Sequence, residues 1–315
     1  MNQRLSKQAT SFFPGSVIRG HWHKQPYTVV SLLGKGAIGS VYLCKRSDGK
    51  KVALKISEKS ASITTEVNVL KQLSKVQGKL LGPSLFDVDD FLPSSGMRLS
   101  FYVMEYVEGK PVPEFLKKRG KDWFGVFLLQ LLSDLERLHQ HGWVFGDLKL
   151  DNILVTDTPP RIRWIDVGGT TQIGRSIKEY TEFYDRGYWQ LGTRRAEPSY
   201  DLFAVVMLAL HYAYPKQFER GTNPEQTLRN KIKQAHVLQP YQVCLERAMK
   251  GYYRSSSQML NELNQLLTKK RVPTQRTQAI TKNKLTHTET TFPLIETSAI
   301  GFVSTLFFII YHFFM

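Results

Sequence analysis

The chain has 315 residues, 42% hydrophobic and 22% charged, which is enough apolar content for one large core or two smaller ones and excludes a chain that is disordered as a whole. Its 43 Lys and Arg outnumber 27 Asp and Glu, and the net charge of +16 is an excess that attracts polyanions such as nucleic acid, anionic lipid or acidic proteins. Two cysteines, Cys44 and Cys244, lie far apart without metal-ligand spacing, so they read as ordinary buried thiols of a reducing compartment, not as a disulfide framework or a zinc module.

Residues 1–26 read as an N-terminal extension. Their opening, MNQRLSKQAT, lacks the apolar run of a secretory signal. From Thr28 the stretch TVVSLLGKGAIGSVYLC alternates like two strands around a glycine turn. The G-x-G-x-x-G it contains, GKGAIG, is ambiguous alone, because dinucleotide folds and plain glycine-bearing hairpins carry it too. A dinucleotide fold needs a helix straight after the glycines. Here SVYLC continues as a strand, so Gly34, Gly36 and Gly39 predict a hairpin whose backbone can lie over phosphates, with Val41 placed to pack on a base.

KVALKIS is the next predicted strand, and it puts Lys55 sixteen residues after Gly39, where a point charge can reach phosphate oxygens. EVNVLKQLSKV reads as a short amphipathic helix with Val67, Leu70 and Leu73 near one face. Its Glu66 is the expected ion-pair partner of Lys55. Glu58 competes, but it follows the strand directly and has no helical context. RLSFYVMEYV predicts another strand, and WFGVFLLQLLSDLERLHQHG a long helix stopped at Gly142.

WVFGDLKLDN then brings Asp147, Lys149 and Asn152 together, and IDVGG supplies Asp166 fourteen residues beyond Asn152. Phosphoryl transfer from ATP needs a carboxylate at the acceptor hydroxyl, oxygen ligands for a divalent cation, and a positive charge on the moving phosphoryl group. Asp147, the pair Asn152 and Asp166, and Lys149 match those needs in turn.

On these motifs, residues 27–267 resemble a Hanks-type (eukaryotic-like) serine/threonine protein kinase. The stretches VFGDLK, IDVGGTT, EYTEFYDRGYW and AEPSYDLFA resemble the sporulation-associated membrane kinases of endospore-forming bacteria. The resemblance implies an α+β bilobal fold with a small β-rich N-lobe and a mostly helical C-lobe. It also implies ATP with Mg²⁺ or Mn²⁺ between the lobes, and protein substrates. Leu33, Val41, Ala53 and Leu154 would sandwich adenine, with backbone hydrogen bonds from Glu105 and Val107 and Met104 as gatekeeper. Leu70, Val88, Phe145 and Val167 would stack as an internal spine. Thr181 would bridge Asp147 and Lys149, and Asp201 would anchor the catalytic loop.

Three departures matter. Gly146 replaces the arginine that pairs with an activation-loop phosphate, which makes this a non-RD kinase: the change removes that switch and no catalytic atom. Val167 replaces the Phe of D-F-G. No A-P-E motif is recognisable near residues 186–189, which leaves Glu197 as the candidate partner for Arg254.

Residues 268–297 have linker composition. Six Lys and Arg against two Glu give them +4 of the +16 and leave +12 for the rest of the chain. Residues 298–315, SAIGFVSTLFFIIYHFFM, carry no Asp, Glu, Lys or Arg and as a helix would span roughly 27 Å, a transmembrane anchor that places the kinase domain on the cytoplasmic side of the cell membrane. The clusters Lys117–Lys118–Arg119–Lys121, Arg229–Lys231–Lys233 and Arg194–Arg195 each read singly as a solvated face; together with the +12, and with the resemblance, which implies DNA-responsive kinases, they are expected to bind duplex DNA through phosphates without sequence preference, as no base-reading motif is present. Anionic lipid is the alternative use for the linker charge. Two rival readings remain: a small-molecule phosphotransferase, disfavoured by Lys149 and T-x-x-Y, and a catalytically silent kinase-like scaffold that binds DNA or lipid.

Overall fold

The computed structural model describes residues 11–36, 38–76, 81–94 and 96–271. Elements follow in chain order as β1 (Val17–Arg19), β2 (Pro26–Lys35), β3 (Ser40–Lys45), β4 (Lys51–Ser57), α1 (Ser60–Leu73), β5 (Leu85–Phe91) and β6 (Leu99–Glu105). These form the N-lobe, an antiparallel six-stranded sheet of order β1-β2-β3-β4-β6-β5. Strand alternation divides its side chains. Ile18, Val29, Tyr42, Leu54, Phe101 and Val103 bury on one face, while Ala53, Tyr102 and Met104 turn toward α1 and the core shared with the second lobe.

β7 (Lys110–Pro111), α2 (Val112–Arg119) and α3 (Trp123–Gln140) open the C-lobe. β8 (Trp143–Val144), β9 (Ile153–Asp157), β10 (Pro160–Trp164) and β11 (Thr171–Gln172) form two small sheets, ordered β10-β9-β7 and β11-β8, that carry the loops of interest. Gly142 ends the α3 turn at φ +81°, a left-handed conformation that glycine adopts without a Cβ penalty. α4 (Pro198–Ala213) is the axis of the lobe: residues 200 to 210 are all buried, as a helix apolar on nearly every side must be. α5 (Pro224–Gln234) packs on α6 (Gln242–Met249), α6 packs on α4, and α7 (Ser256–Arg271) packs mainly on α3.

The bilobal architecture expected from the sequence is therefore present, with local differences. Val17–Arg19 of the extension joins the sheet as its edge strand, and α7 runs through Arg271, past the position where the linker was expected to begin. Val88 is exposed on β5 and lies outside the internal stack. Gly82 occupies that space instead, where an added Cβ would lie 3.2 Å from Val167 and 3.7 Å from Leu70. Among the described residues no helix is long and apolar enough to cross a membrane; residues 298–315 lie outside them.

Candidate active site

A cavity of about 350 Å³ lies between the lobes. Leu33, Val41, Ala53 and Leu154 line it as apolar walls, and Met104, Glu105 and Val107 line its back edge. Gly34, Lys55, Asn152 and Asp166 also line it, together with Tyr102 and Ile165, which the sequence did not single out. The glycine hairpin closes with Gly36 N–H donating to Gly39 C=O at 2.9 Å. The three glycines serve different ends. Gly34 and Gly36 have open space where a side chain would go, whereas a Cβ on Gly39 would meet the Ile56 carbonyl at 2.3 Å. Gly39 is thus required by the close approach of the hairpin to β4.

β4 delivers Lys55 and α1 delivers Glu66, whose charges meet at 2.7 Å with side chains only 9% and 3% exposed. A pair this buried depends on further hydrogen bonds to offset desolvation. Tyr102 supplies one: its hydroxyl donates to Glu66 Oε2 at 2.7 Å. Burial, reinforced by the Glu66 charge, keeps that phenol protonated at any ordinary pH. Glu66 Oε1 is buried without a partner among the described residues, and Lys55 Nζ is 3.9 Å from Asp166. Glu66 is thus confirmed over Glu58 as the residue that Lys55 meets.

The loop after β8 gathers the second constellation. Lys149 Nζ donates to Asp147 Oδ2 at 2.6 Å and to Thr181 Oγ1 at 3.1 Å, and the Thr181 hydroxyl donates to Asp147 Oδ1 at 2.8 Å. Asn152 Nδ2 donates to the Asp147 carbonyl at 2.9 Å, which leaves its amide oxygen as an acceptor. Asp166 accepts the Gly168 N–H at 3.0 Å on one oxygen, and its side chain is 51% exposed. One amide oxygen and one solvent-facing carboxylate on the same cavity wall are hard ligands suited to Mg²⁺ or Mn²⁺.

Buried groups hold this loop. Asp201 on α4 accepts from Phe145 N–H at 2.7 Å and Gly146 N–H at 3.0 Å, and lies 2.9 Å from His139 Nε2. Ser256 Oγ sits 3.1 Å from the other ring nitrogen of His139. Two further pairs went unread in the sequence. Arg163 of β10 grips Glu105 with two bonds of 3.0 and 2.9 Å; burial pushes the Glu105 carboxyl up, but that guanidinium and Ser84 more than offset it and hold it below its usual range. Arg186, not Arg254, pairs with Glu197, at 2.5 Å. Arg254 makes no ion pair among the described residues. Asp185, fully buried, accepts from Tyr200, Arg194 and two backbone N–H groups, so it knits the end of the 166–197 segment to α4.

Two lobes clasping a cavity, a buried lysine–glutamate pair on one wall and an Asp–Lys–Thr network with two hard oxygen ligands on the other define a phosphotransferase of the protein-kinase class. The comparisons agree. The protein kinase domain model matches residues 27–287. The chain is 51% identical over 264 residues to serine/threonine-protein kinase YabT of Bacillus subtilis (strain 168), covering 84% of this chain and 78% of that protein. It is 31% identical over 171 residues to serine/threonine-protein kinase ppk31 of Schizosaccharomyces pombe, half of this chain but 15% of that one. Among solved structures, the Mycobacterium tuberculosis PknI kinase domain, a double mutant, matches with a TM-score of 0.54 at 18% identity, covering 82% of this chain and all of that one, a likeness of fold. The chain belongs to the protein kinase family and is a serine/threonine protein kinase, which implies ATP and a divalent cation as cofactors.

Proposed function

We propose that the chain is a membrane-anchored, non-RD kinase that phosphorylates protein Ser and Thr hydroxyls, is stimulated by duplex DNA or another polyanion, and acts in sporulation. The Asp147–Lys149–Thr181 network carries the catalytic part of this reading. Bound ATP and a divalent cation supply the γ-phosphoryl group and neutralise charge developing on it. Asp147 accepts the acceptor hydroxyl's proton, Lys149 stays beside it as the cation for the transferring group, and Lys55, positioned by Glu66, holds phosphate oxygens. Asn152 and Asp166 would ligate the metal. Leu33, Val41, Ala53 and Leu154 would hold the base, with the backbone of Glu105 and Val107 available to hydrogen-bond it.

Residues 298–315 anchor the chain in the cell membrane with the kinase domain cytoplasmic. For the polyanion, the supporting observation is that Lys117, Lys118, Lys121, Lys233 and Arg195 are exposed and make no ion pair among the described residues. Other members of the clusters have partners: Arg194 with Asp185, Arg229 with Glu225, and Lys231 over the Tyr214 ring.

The test is phosphate transfer by the full chain, with Mg²⁺ or Mn²⁺, to itself and to a protein acceptor, with and without duplex DNA or anionic vesicles. Asp147→Asn is the control. Transfer that rises with DNA and loses the rise as salt increases supports the catalytic and polyanion parts of the reading. A rise with vesicles alone moves the activator to lipid, and absence of transfer in every arm leaves the silent scaffold.

A further inference from the structure

Glu66 is held by two donors, and both come from the sheet. In the register of β4 and β6, Lys55 and Tyr102 stand directly opposite each other. Directly opposed residues share a face, with Cβ atoms roughly 5 Å apart. Both side chains therefore point toward α1, and both end on the same atom. Lys55 Nζ and the Tyr102 hydroxyl each lie 2.7 Å from Glu66 Oε2, and all three residues are buried.

These two contacts carry the polar hold on α1. The helix rests on β6 more than on β4 or β5, through apolar side chains that include Ile63, Val67 and Leu70. The Thr64 and Thr65 hydroxyls donate back into the helix, to the carbonyls of Ser60 and Ala61. Among the described residues, Glu66 is the one member of α1 whose side chain hydrogen-bonds or ion-pairs with the sheet.

The two donors differ once ATP is bound. Lys55 must divide its charge between Glu66 and phosphate oxygens, and it also lies 3.9 Å from Asp166. The Tyr102 hydroxyl donates to Glu66 alone among the described residues, while its ring lines the cavity between the lobes. A phenol is neutral, so it satisfies the carboxylate without placing a second cation beside Lys55. Glu66 Oε1 is buried without a partner among the described residues. Without the phenol the carboxylate would have Lys55 alone, and each turn of Lys55 toward phosphate would strip a buried charge of its compensation.

We propose that Tyr102 is a positioning residue for phosphoryl transfer: its hydroxyl retains Glu66, and α1 with it, against the sheet while Lys55 engages ATP. The proposal rests on the roles given above to Lys55 and Glu66. Tyr102 touches no reacting atom and acts through the carboxylate. It sets the share of the enzyme in which Lys55 is oriented for phosphate, so its effect falls on the use of ATP and not on recognition of the protein acceptor.

The experiment uses the full chain with ATP, Mg²⁺ and a protein acceptor, and compares Tyr102→Phe, Glu66→Ala, the double variant and, as a control, Lys55→Met. The readouts are kcat and KM for each substrate and amide hydrogen exchange across the N-lobe. Tyr102→Phe keeps the ring on the cavity wall and removes only the hydroxyl. It should lower kcat/KM for ATP about tenfold, the lower range for a hydrogen bond to a charged group. KM for the acceptor should stay as in the wild type, and exchange should quicken in α1 but not in β2 or β3. Glu66→Ala should lose more, and adding Tyr102→Phe to it should change nothing further. Wild-type kcat/KM in Tyr102→Phe, or the same tenfold loss repeated on the Glu66→Ala background, shows that the phenol does not act through Glu66. Either result overturns the proposal and leaves the kinase intact. Undiminished transfer by Lys55→Met overturns the role of Lys55 and the proposal with it.

Discussion

Gly146 stands where the sequence resemblance implies an arginine, and installing an arginine there should damage the enzyme, not add a switch. The backbone at Gly146 has φ +82°, and a Cβ added there would meet the Gly169 carbonyl oxygen at 2.4 Å. Neither group can retreat cheaply. Gly146 N–H is held by Asp201, and a Cβ on Gly169 would itself fall 2.8 Å from the Asp147 Cβ, so these backbones are already close-packed. A left-handed non-glycine residue costs about 1–2 kcal/mol, and overpacking a tight site adds about 1–3 kcal/mol. The sum is about 3 kcal/mol, or roughly 6–12 °C in melting temperature for a domain of this size. Because the Cβ carries the penalty, Gly146→Ala and Gly146→Arg should fall by similar amounts, and both should transfer phosphate more slowly as Asp147 shifts. Thermal unfolding by circular dichroism and initial rates of phosphate transfer measure this. A Gly146→Arg variant as stable and as fast as the wild type would refute the reasoning.

Three more outcomes follow from the buried groups. Asp201→Ala strands the Phe145 and Gly146 N–H groups and His139 without an acceptor and should cost about 3–5 kcal/mol in urea unfolding, with transfer lost in parallel; an unchanged midpoint would show that the loop does not depend on α4. Glu105 is held below its ordinary 4.5, so its pairing with Arg163 stabilises the fold fully above that value, and the contribution is lost as pH falls below it and through the depressed folded-state value. Arg163→Met should therefore melt below the wild type at pH 7, by a gap that closes toward pH 3; a gap constant with pH counts against the pairing. Burial pushes the Cys44 thiol up to about 12 and Cys244 up to about 11, so neither should react with a thiol reagent at pH 8 until denaturant is added, when both should; prompt reaction of either in the native chain would contradict its burial.

What was legible in the sequence was what spacing alone dictates. Lys55, Glu66, Asp147, Asn152 and Asp166 sit at intervals that the sheet and its loops convert directly into proximity, and Thr181 and Asp201 were readable by resemblance. What escaped depends on long-range partners. β5 reads LFDVDDF, and hydrophobicity alone puts Val88 inside. The structure puts Val88 and Phe86 outside and buries Asp89 and Asp90, because the extension lays its donors on them: Trp22 and His23 N–H to Asp89, and the Trp22 indole to Asp90. No local pattern announces partners more than sixty residues upstream. Arg163 and Glu105, 58 residues apart, were hidden the same way.

Long-range partners also explain how the loop before Asp147 keeps its shape with glycine at 146. Asp201 joins the loop to α4 through the Phe145 and Gly146 N–H groups, the backbone that places Asp147. His139 adds a second hold from α3, tied in turn to Ser256 at the start of α7. Three helices therefore fix the residues before Asp147 with no contribution from residue 146 beyond its own N–H. Freed of a side chain, that position lets the Gly169 carbonyl come close, an arrangement only glycine permits on the catalytic side.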